Sequence, residues 1–212
     1  MSGQTAFSER WHPSRTALLV IDVQNDFCHP DGKLRSRPGF DRRGLDDALA
    51  GIDRLAGEAR VRAIPVIWLQ AIYDRKYLAG PALLRRDGVP EDQDLCLEGS
   101  WGAELMLAPE PDDRVLVKHR YSGFHATGLA EVLRAQGRDS VVVTGVTTNT
   151  CVMASALDAS FLGLFPIIAS DCVWSPAVDA QALILREAAR LYADVLPSGA
   201  LLERWGSRGI RP

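Results

Sequence analysis

The stretch SVVVTGVTTNTCV, residues 140–152, runs an apolar β-branched segment into a glycine turn and places a cysteine two residues into an expected helix. A run of this kind favours extended chain, and its lack of polar alternation predicts burial on both faces, as in parallel sheets. Similar runs occur at TALLVID (16–22), AIPVIWLQ (63–70), RVLVKH (114–119), FPIIAS (165–170) and, more briefly, YADVL (192–196). Helical patterns lie between them. Leu45, Ala48, Leu49, Ile52, Leu55, Ala56 and Ala59 recur at three- and four-residue steps, the stripe of a helix packed on a sheet. Thr127 is placed to cap a helix carrying Leu129, Val132 and Leu133, with Gly137 as its stop. Ser175 and Pro176 predict another helix start. This alternation implies an α/β fold with a doubly wound, mainly parallel six-stranded sheet and helices on both faces.

The 212 residues suit one domain, expected to span 1–212. Apolar residues make up 47% and charged residues 24%, enough for a core and unlike a disordered chain. The net charge of −3 comes from mixed signs, which argues against a nucleic-acid partner. No apolar run approaches the ~20 residues of a membrane span, and MSGQTAFSER at the start lacks the pattern of a leader. A cytoplasmic protein acting on a small molecule is expected. Its four cysteines, Cys28, Cys96, Cys151 and Cys172, form no C-x-x-C pair, so reduced thiols are expected.

Residues 72–112, rich in Gly, Pro, Asp and Glu, interrupt the rhythm. They read as a long excursion with one or two helical turns, serving as a lid, a binding loop or a subunit contact.

Ligands of open parallel sheets bind beyond the carboxyl ends of the strands. The first strand ends in Asp22, the third in Lys118, and the fourth leads to Cys151. Each has a plain alternative role: Asp22 as a turn cap, Lys118 as an edge charge, Cys151 as a small core residue. A thiol at a helix start near an ammonium is expected to have a lowered pKa and to supply thiolate near neutral pH.

Three segments, ALLVIDVQNDFCHPDG (17–32), VLVKHRYSGFHATGLAEVLRAQG (115–137) and VVVTGVTTNTCVMASALDASFLG (141–163), resemble in order and separation the isochorismatase-like cysteine hydrolase superfamily. The resemblance implies a Rossmann-like three-layer sandwich and a triad of Asp22, Lys118 and Cys151. It also implies an oxyanion hole of the Thr147 and Cys151 backbone N–H groups, and a cis peptide between Val146 and Thr147. The implied chemistry is C–N bond hydrolysis: Cys151 attacks a carbonyl, Asp22 takes and returns the proton, and a thioester forms and is hydrolysed.

True isochorismatases lack the cysteine, so Cys151 points to amide chemistry. Nicotinamidases carry a D-x-H metal motif after the second strand; here WLQAIYD (68–74) holds Gln70 and Ala71 instead, so neither metal nor other cofactor is expected. The resemblance extends to the ureidoacrylate and biuret hydrolase branch and, more loosely, to N-carbamoylsarcosine amidase. It implies a ureido or carbamoyl substrate and a homo-oligomer, dimer or tetramer. A simple amide such as maleamate or a nicotinamide-like ring is the alternative, and a silent interaction module of the same fold is a third. Gln70 is expected to bind a urea-like amide or to be an ordinary strand-end residue. Phe27 is read as a pocket wall or a core aromatic, and Tyr121 or Arg120 as a partner for a substrate carboxylate or, for Arg120, as a structural or intersubunit residue. His125 is expected to reach the pocket or a neighbouring subunit, and Cys172 to be core.

Overall fold

The computed structural model describes residues 11–206; the first ten residues, read above for a leader, lie outside the described part. Six parallel strands form one sheet in the order β3-β2-β1-β4-β5-β6: β1 (Thr16–Ile21), β2 (Val66–Ala71), β3 (Arg114–Lys118), β4 (Ser140–Val146), β5 (Phe165–Trp174) and β6 (Asp194–Leu196). The described helices are α1 (Asn25–Cys28), α2 (Leu45–Val61), α3 (Pro81–Leu84), α4 (Leu129–Ala135), α5 (Met153–Phe161), α6 (Val178–Leu191) and α7 (Ser198–Gly206). None of them is long and apolar enough to cross a membrane.

Side chains alternate across the central strands, so two cores form. Leu18, Val20 and Trp68 pack with the α2 stripe and with Leu201 and Trp205 of α7. Ala17, Leu19, Ile21 and Val143 pack on the other face against Leu129 and Leu133 of α4, Ala156 and Ala159 of α5, and Ala188 of α6. Every residue of β1 and β4 is buried, which accounts for their unbroken apolar character. β3 departs from the two-faced burial expected of it: Arg114, Val115 and Val117 are exposed because it is the edge strand.

The N-cap of α4 is Gly128, at φ 75°, and not Thr127 as expected; Thr127 lies one residue earlier, its Oγ1 accepting from Leu129 N at 3.2 Å. The Ser175–Pro176 helix start is corrected. α6 begins at Val178, while Ser175 Oγ accepts from Ala177 N at 3.2 Å and donates to Asn149 Oδ1 at 2.9 Å, so the pair links the helix entry to the loop after β4.

Short turns structure the excursion: 3₁₀ turns at Arg75–Tyr77, Glu91–Gln93 and Trp101–Ala103, and α3 between the first two. Two buried carboxylates fasten it. Asp26 Oδ2 accepts from Cys96 N at 2.7 Å and Oδ1 from Lys33 N at 3.3 Å. Asp94 meets Arg75 Nε at 2.7 Å and Arg86 Nη1 at 3.3 Å.

Gly145 decides how closely β4 approaches β1. Its φ is +107°, and a Cβ there would lie 2.0 Å from Ile21 O. Both backbone strain and collision oppose any side chain. Gly145→Ala is expected to cost about 3 kcal/mol or more, read as a fall in the thermal or urea midpoint.

Candidate active site

Strand order reverses between β1 and β4, since the chain builds outward to β3 and then returns to the other side of β1. The crevice at the carboxyl ends of these two strands is where ligands of such sheets bind. The turn from β4 into α5 is π-helical over Thr148–Val152, and the Val146–Thr147 peptide before it is cis. Cys151 lies in this turn, 4% exposed. Its carbonyl accepts from Ser155 Oγ at 2.7 Å, and Ser155 Oγ accepts from Gly123 N at 2.9 Å, which ties the turn to the chain after β3.

Asp22 follows β1 with φ 53°, a left-handed conformation that Asp tolerates better than most residues. Its N–H donates to Leu69 O at 2.9 Å, and its own carbonyl accepts from Gln24 N at 2.8 Å. Lys118 closes β3 and is fully buried. Its Nζ lies 2.9 Å from Asp22 Oδ2, and it donates to Tyr73 Oη at 2.9 Å, Arg120 O at 3.0 Å and Cys151 Sγ at 3.5 Å. The Asp22–Lys118 approach is an ion pair by distance, but neither Asp22 oxygen has a donor in hydrogen-bond geometry among the described residues. The carboxylate is thus held by charge, with lone pairs available to a proton.

Protonation follows from this burial. Desolvation raises the Asp22 pKa above its ordinary 3.8, opposed by the Lys118 charge. Burial by itself would lower Lys118, but the Asp22 and Cys151 charges outweigh it and hold the ammonium above its ordinary value. The Cys151 thiol is pushed up to about 12, first by burial and then by the Asp22 carboxylate, with Lys118 opposing. The expectation of a resting thiolate near neutral pH is therefore overturned: the adjacent carboxylate and the loss of water outweigh the ammonium and the helix start.

A cavity of about 510 Å³ opens above Sγ, a size usual for small-molecule sites. Of the residues read as substrate-binding, Phe27 and Tyr121 line it. Gln70 does not; its Nε2 donates to Ala103 O at 2.8 Å, inside β2 and short of the strand end. Thr147 lines the cavity beside Cys151, as does Arg120, whose Nη1 donates to Tyr77 O and His119 O at 2.7 and 2.8 Å. His125 is exposed and outside the lining. Cys28, Cys96 and Cys172 are buried free thiols, Cys172 in the α2 core as expected.

The sequence reading missed Tyr73 and Gln24. Gln24 is fully buried, and its amide accepts from Ala71 N at 2.8 Å and donates to Ala71 O at 2.9 Å and Ala103 O at 2.8 Å, clamping the ends of β1 and β2. Tyr73 Oη touches both Lys118 Nζ and Cys151 Sγ, the latter at 3.5 Å. The available signal was position: Tyr73 stands just past the end of β2, where ligand-facing groups gather, whereas Gln70 is still within the strand.

The isochorismatase domain model matches residues 16–199. The chain is 38% identical over 174 residues to ureidoacrylate amidohydrolase RutB of Methylobacterium radiotolerans, covering 75% of this chain and 67% of that protein. A cysteine hydrolase from Pseudomonas syringae pv. phaseolicola superposes with a TM-score of 0.82 at 29% identity, covering 92% of this chain and 94% of the other. N-carbamoylsarcosine amidase from Thermoplasma acidophilum gives 0.71 at 27% identity, with 87% and 96% covered. With the domain match running over most of its length, this chain belongs to the isochorismatase family.

Proposed function

We propose that this protein is a cysteine amidohydrolase that cleaves a C–N bond in a small ureido, carbamoyl or amide compound. The observation that carries the reading is a buried thiol within 3.5 Å of a buried ammonium, which is itself 2.9 Å from a buried carboxylate.

In the proposed reaction the substrate carbonyl enters the cavity above Sγ. As the S–C bond forms, the thiol proton passes to Asp22, and the carbonyl oxygen becomes an oxyanion held by the backbone N–H groups of Thr147 and Cys151. Collapse of this adduct breaks the C–N bond, and Asp22 returns its proton to the departing nitrogen, leaving a thioester and releasing ammonia or an amine; the acid or carbamate carrying the former carbonyl carbon leaves in the next step. Water then attacks the thioester, giving one proton to Asp22. The S–C bond breaks, and that proton returns to sulfur. Lys118 holds Asp22 in place and offsets negative charge throughout.

The charged side chains lining the cavity are Arg85, Arg86 and Arg120, with no carboxylate among the lining residues. Arg86 is paired with Asp94, while Arg120 retains donors beyond the Nη1 that is bonded to carbonyls. This supports a substrate bearing a carboxylate, in keeping with the names ureidoacrylate amidohydrolase and N-carbamoylsarcosine amidase among the relatives. The metal-free reading rests on Gln70 and Ala71, the last two residues of β2, which offer no His or carboxylate as an ion ligand.

Ammonia release from a panel of ureidoacrylate, biuret, N-carbamoyl amino acids, maleamate and nicotinamide tests the reading. Turnover of a ureide that falls about 10³-fold or more in Cys151→Ser is expected, because a hydroxyl needs activation this site does not provide. Near-normal turnover in that variant removes Cys151 as nucleophile, and turnover of nicotinamide or maleamate alone moves the protein to the simple-amide alternative.

The pH dependence has a defined sign. Asp22 must be ionised to accept the proton, so kcat/KM is expected to fall as pH drops through a midpoint above the ordinary carboxylate 3.8. Lys118 lowers that midpoint, so in Lys118→Ala the acid limb moves to higher pH. The thiol pKa rises in the same variant, slowing iodoacetamide alkylation at neutral pH. An acid limb and an alkylation profile both unchanged in Lys118→Ala contradict these roles.

A further inference from the structure

An ammonium has three N–H groups, and Lys118 Nζ donates to Tyr73 Oη at 2.9 Å, Arg120 O at 3.0 Å and Cys151 Sγ at 3.5 Å, with Asp22 Oδ2 at 2.9 Å as its ion-pair partner. The contact to sulfur is the longest of the four. Tyr73 Oη is also the group that bridges this ammonium to the sulfur. It receives an N–H from Lys118, and the hydroxyl's other partner is Sγ at 3.5 Å. With its lone pair engaged by Nζ, the hydroxyl hydrogen is free for sulfur.

We propose that Tyr73 donates the hydrogen bond that holds the Cys151 sulfur as it loses its proton, and so passes the polarisation of Lys118 on to the nucleophile. The proposal rests on the thiol chemistry given above and adds to it a residue that touches the reacting atom. Donation from Nζ to Oη polarises the phenol, and a polarised O–H is a stronger donor to an anion than an isolated one. The phenol stays protonated through this, because burial and then the nearby Cys151 and Asp22 charges raise its pKa well above 10.0.

The surroundings fix Tyr73 for this task. It lies two residues beyond β2, its backbone N–H donates to Cys96 O at 3.1 Å, and the preceding Ile72 N–H donates to Lys118 O at 2.9 Å. Its ring meets Tyr121 edge to face at 6.4 Å and leaves the residue 8% exposed. The hydroxyl therefore has little freedom to leave the sulfur, and the beginning of the excursion becomes part of the reaction centre.

Tyr73→Phe keeps the ring and removes the hydroxyl. Two readouts separate a role at sulfur from a packing role: the pH profile of Cys151 alkylation by iodoacetamide, which needs no substrate, and the division of any activity loss between kcat and KM. In folded Tyr73→Phe, alkylation at neutral pH is expected to slow about tenfold or more, as for loss of a hydrogen bond to a charged group. Its pH profile should shift upward, and kcat should fall by a similar factor with KM within about threefold. An alkylation profile that overlays the wild type, or a loss confined to KM, overturns the proposal. If Tyr73→Phe does not fold, as judged by circular dichroism, Tyr73→Leu carries the same measurement. Because alkylation is read without turnover, a panel with no substrate would count against the amidohydrolase reading and leave this result standing.

Discussion

A lysine ammonium with no exposure to water is the constraint around which the rest of this molecule is arranged. Lys118 survives there because Asp22, itself buried, lies 2.9 Å from its Nζ. Removing either member of such a pair typically costs about 3–5 kcal/mol, since the other is left buried and uncompensated. The partners sit on β1 and β3, with β2 between them, so three strands must end level for the charges to meet. Backbone bonds from Asp22 to Leu69 and from Ile72 to Lys118 set that level, and Gln24 repeats the lock between β1 and β2 with its side chain.

The same logic governs the excursion over the cavity. Its composition reads as a lid, a binding loop or a subunit contact, and its anchors are buried carboxylates with named partners. Asp26 takes two backbone N–H groups, and Gly102 packs so tightly on its carboxylate that a Cβ would lie 2.2 Å from it. Asp94 gathers Arg75 and Arg86 from either end of α3. A buried carboxylate is stable only when such partners are supplied. The wall that carries Leu78, Ala82, Arg85 and Leu95 into the cavity is therefore fixed by polar contacts as much as by apolar packing.

How much of this could be read from the sequence follows the range of each interaction. Strand runs and the α2 stripe are local patterns, and they reappear in the fold at the expected places. Asp22, Lys118 and Cys151 were identified by their positions at strand ends and by resemblance, and the fold brings them together. Of the two roles read for Gln70, the structure agrees with the ordinary strand residue; strand membership alone does not say whether a side chain reaches past the sheet edge or turns to a neighbouring loop, and Ala103 O, 33 residues away in the chain, captures it. Tyr73 was passed over because its role depends on two partners 45 and 78 residues distant. The burial that raises the Cys151 pKa is likewise a sum over distant segments, and a helix-start argument contains none of them.

That burial also explains why the site holds a thiol at rest. With a carboxylate, an ammonium and a neutral thiol, the buried cluster has no net charge. Ionising the thiol while Asp22 remains charged would leave a net negative charge away from water, which desolvation opposes and which raises both acids together. Moving the proton from sulfur to Asp22 restores neutrality. The two low-energy arrangements therefore contain the same single proton, placed either on Sγ or on the carboxylate, and they differ in whether sulfur is nucleophilic. In the proposed reaction, attack on a carbonyl draws the proton across at the moment sulfur needs its electrons. A buried site can thus keep an unreactive thiol until substrate arrives, with Lys118 balancing the charge in both arrangements.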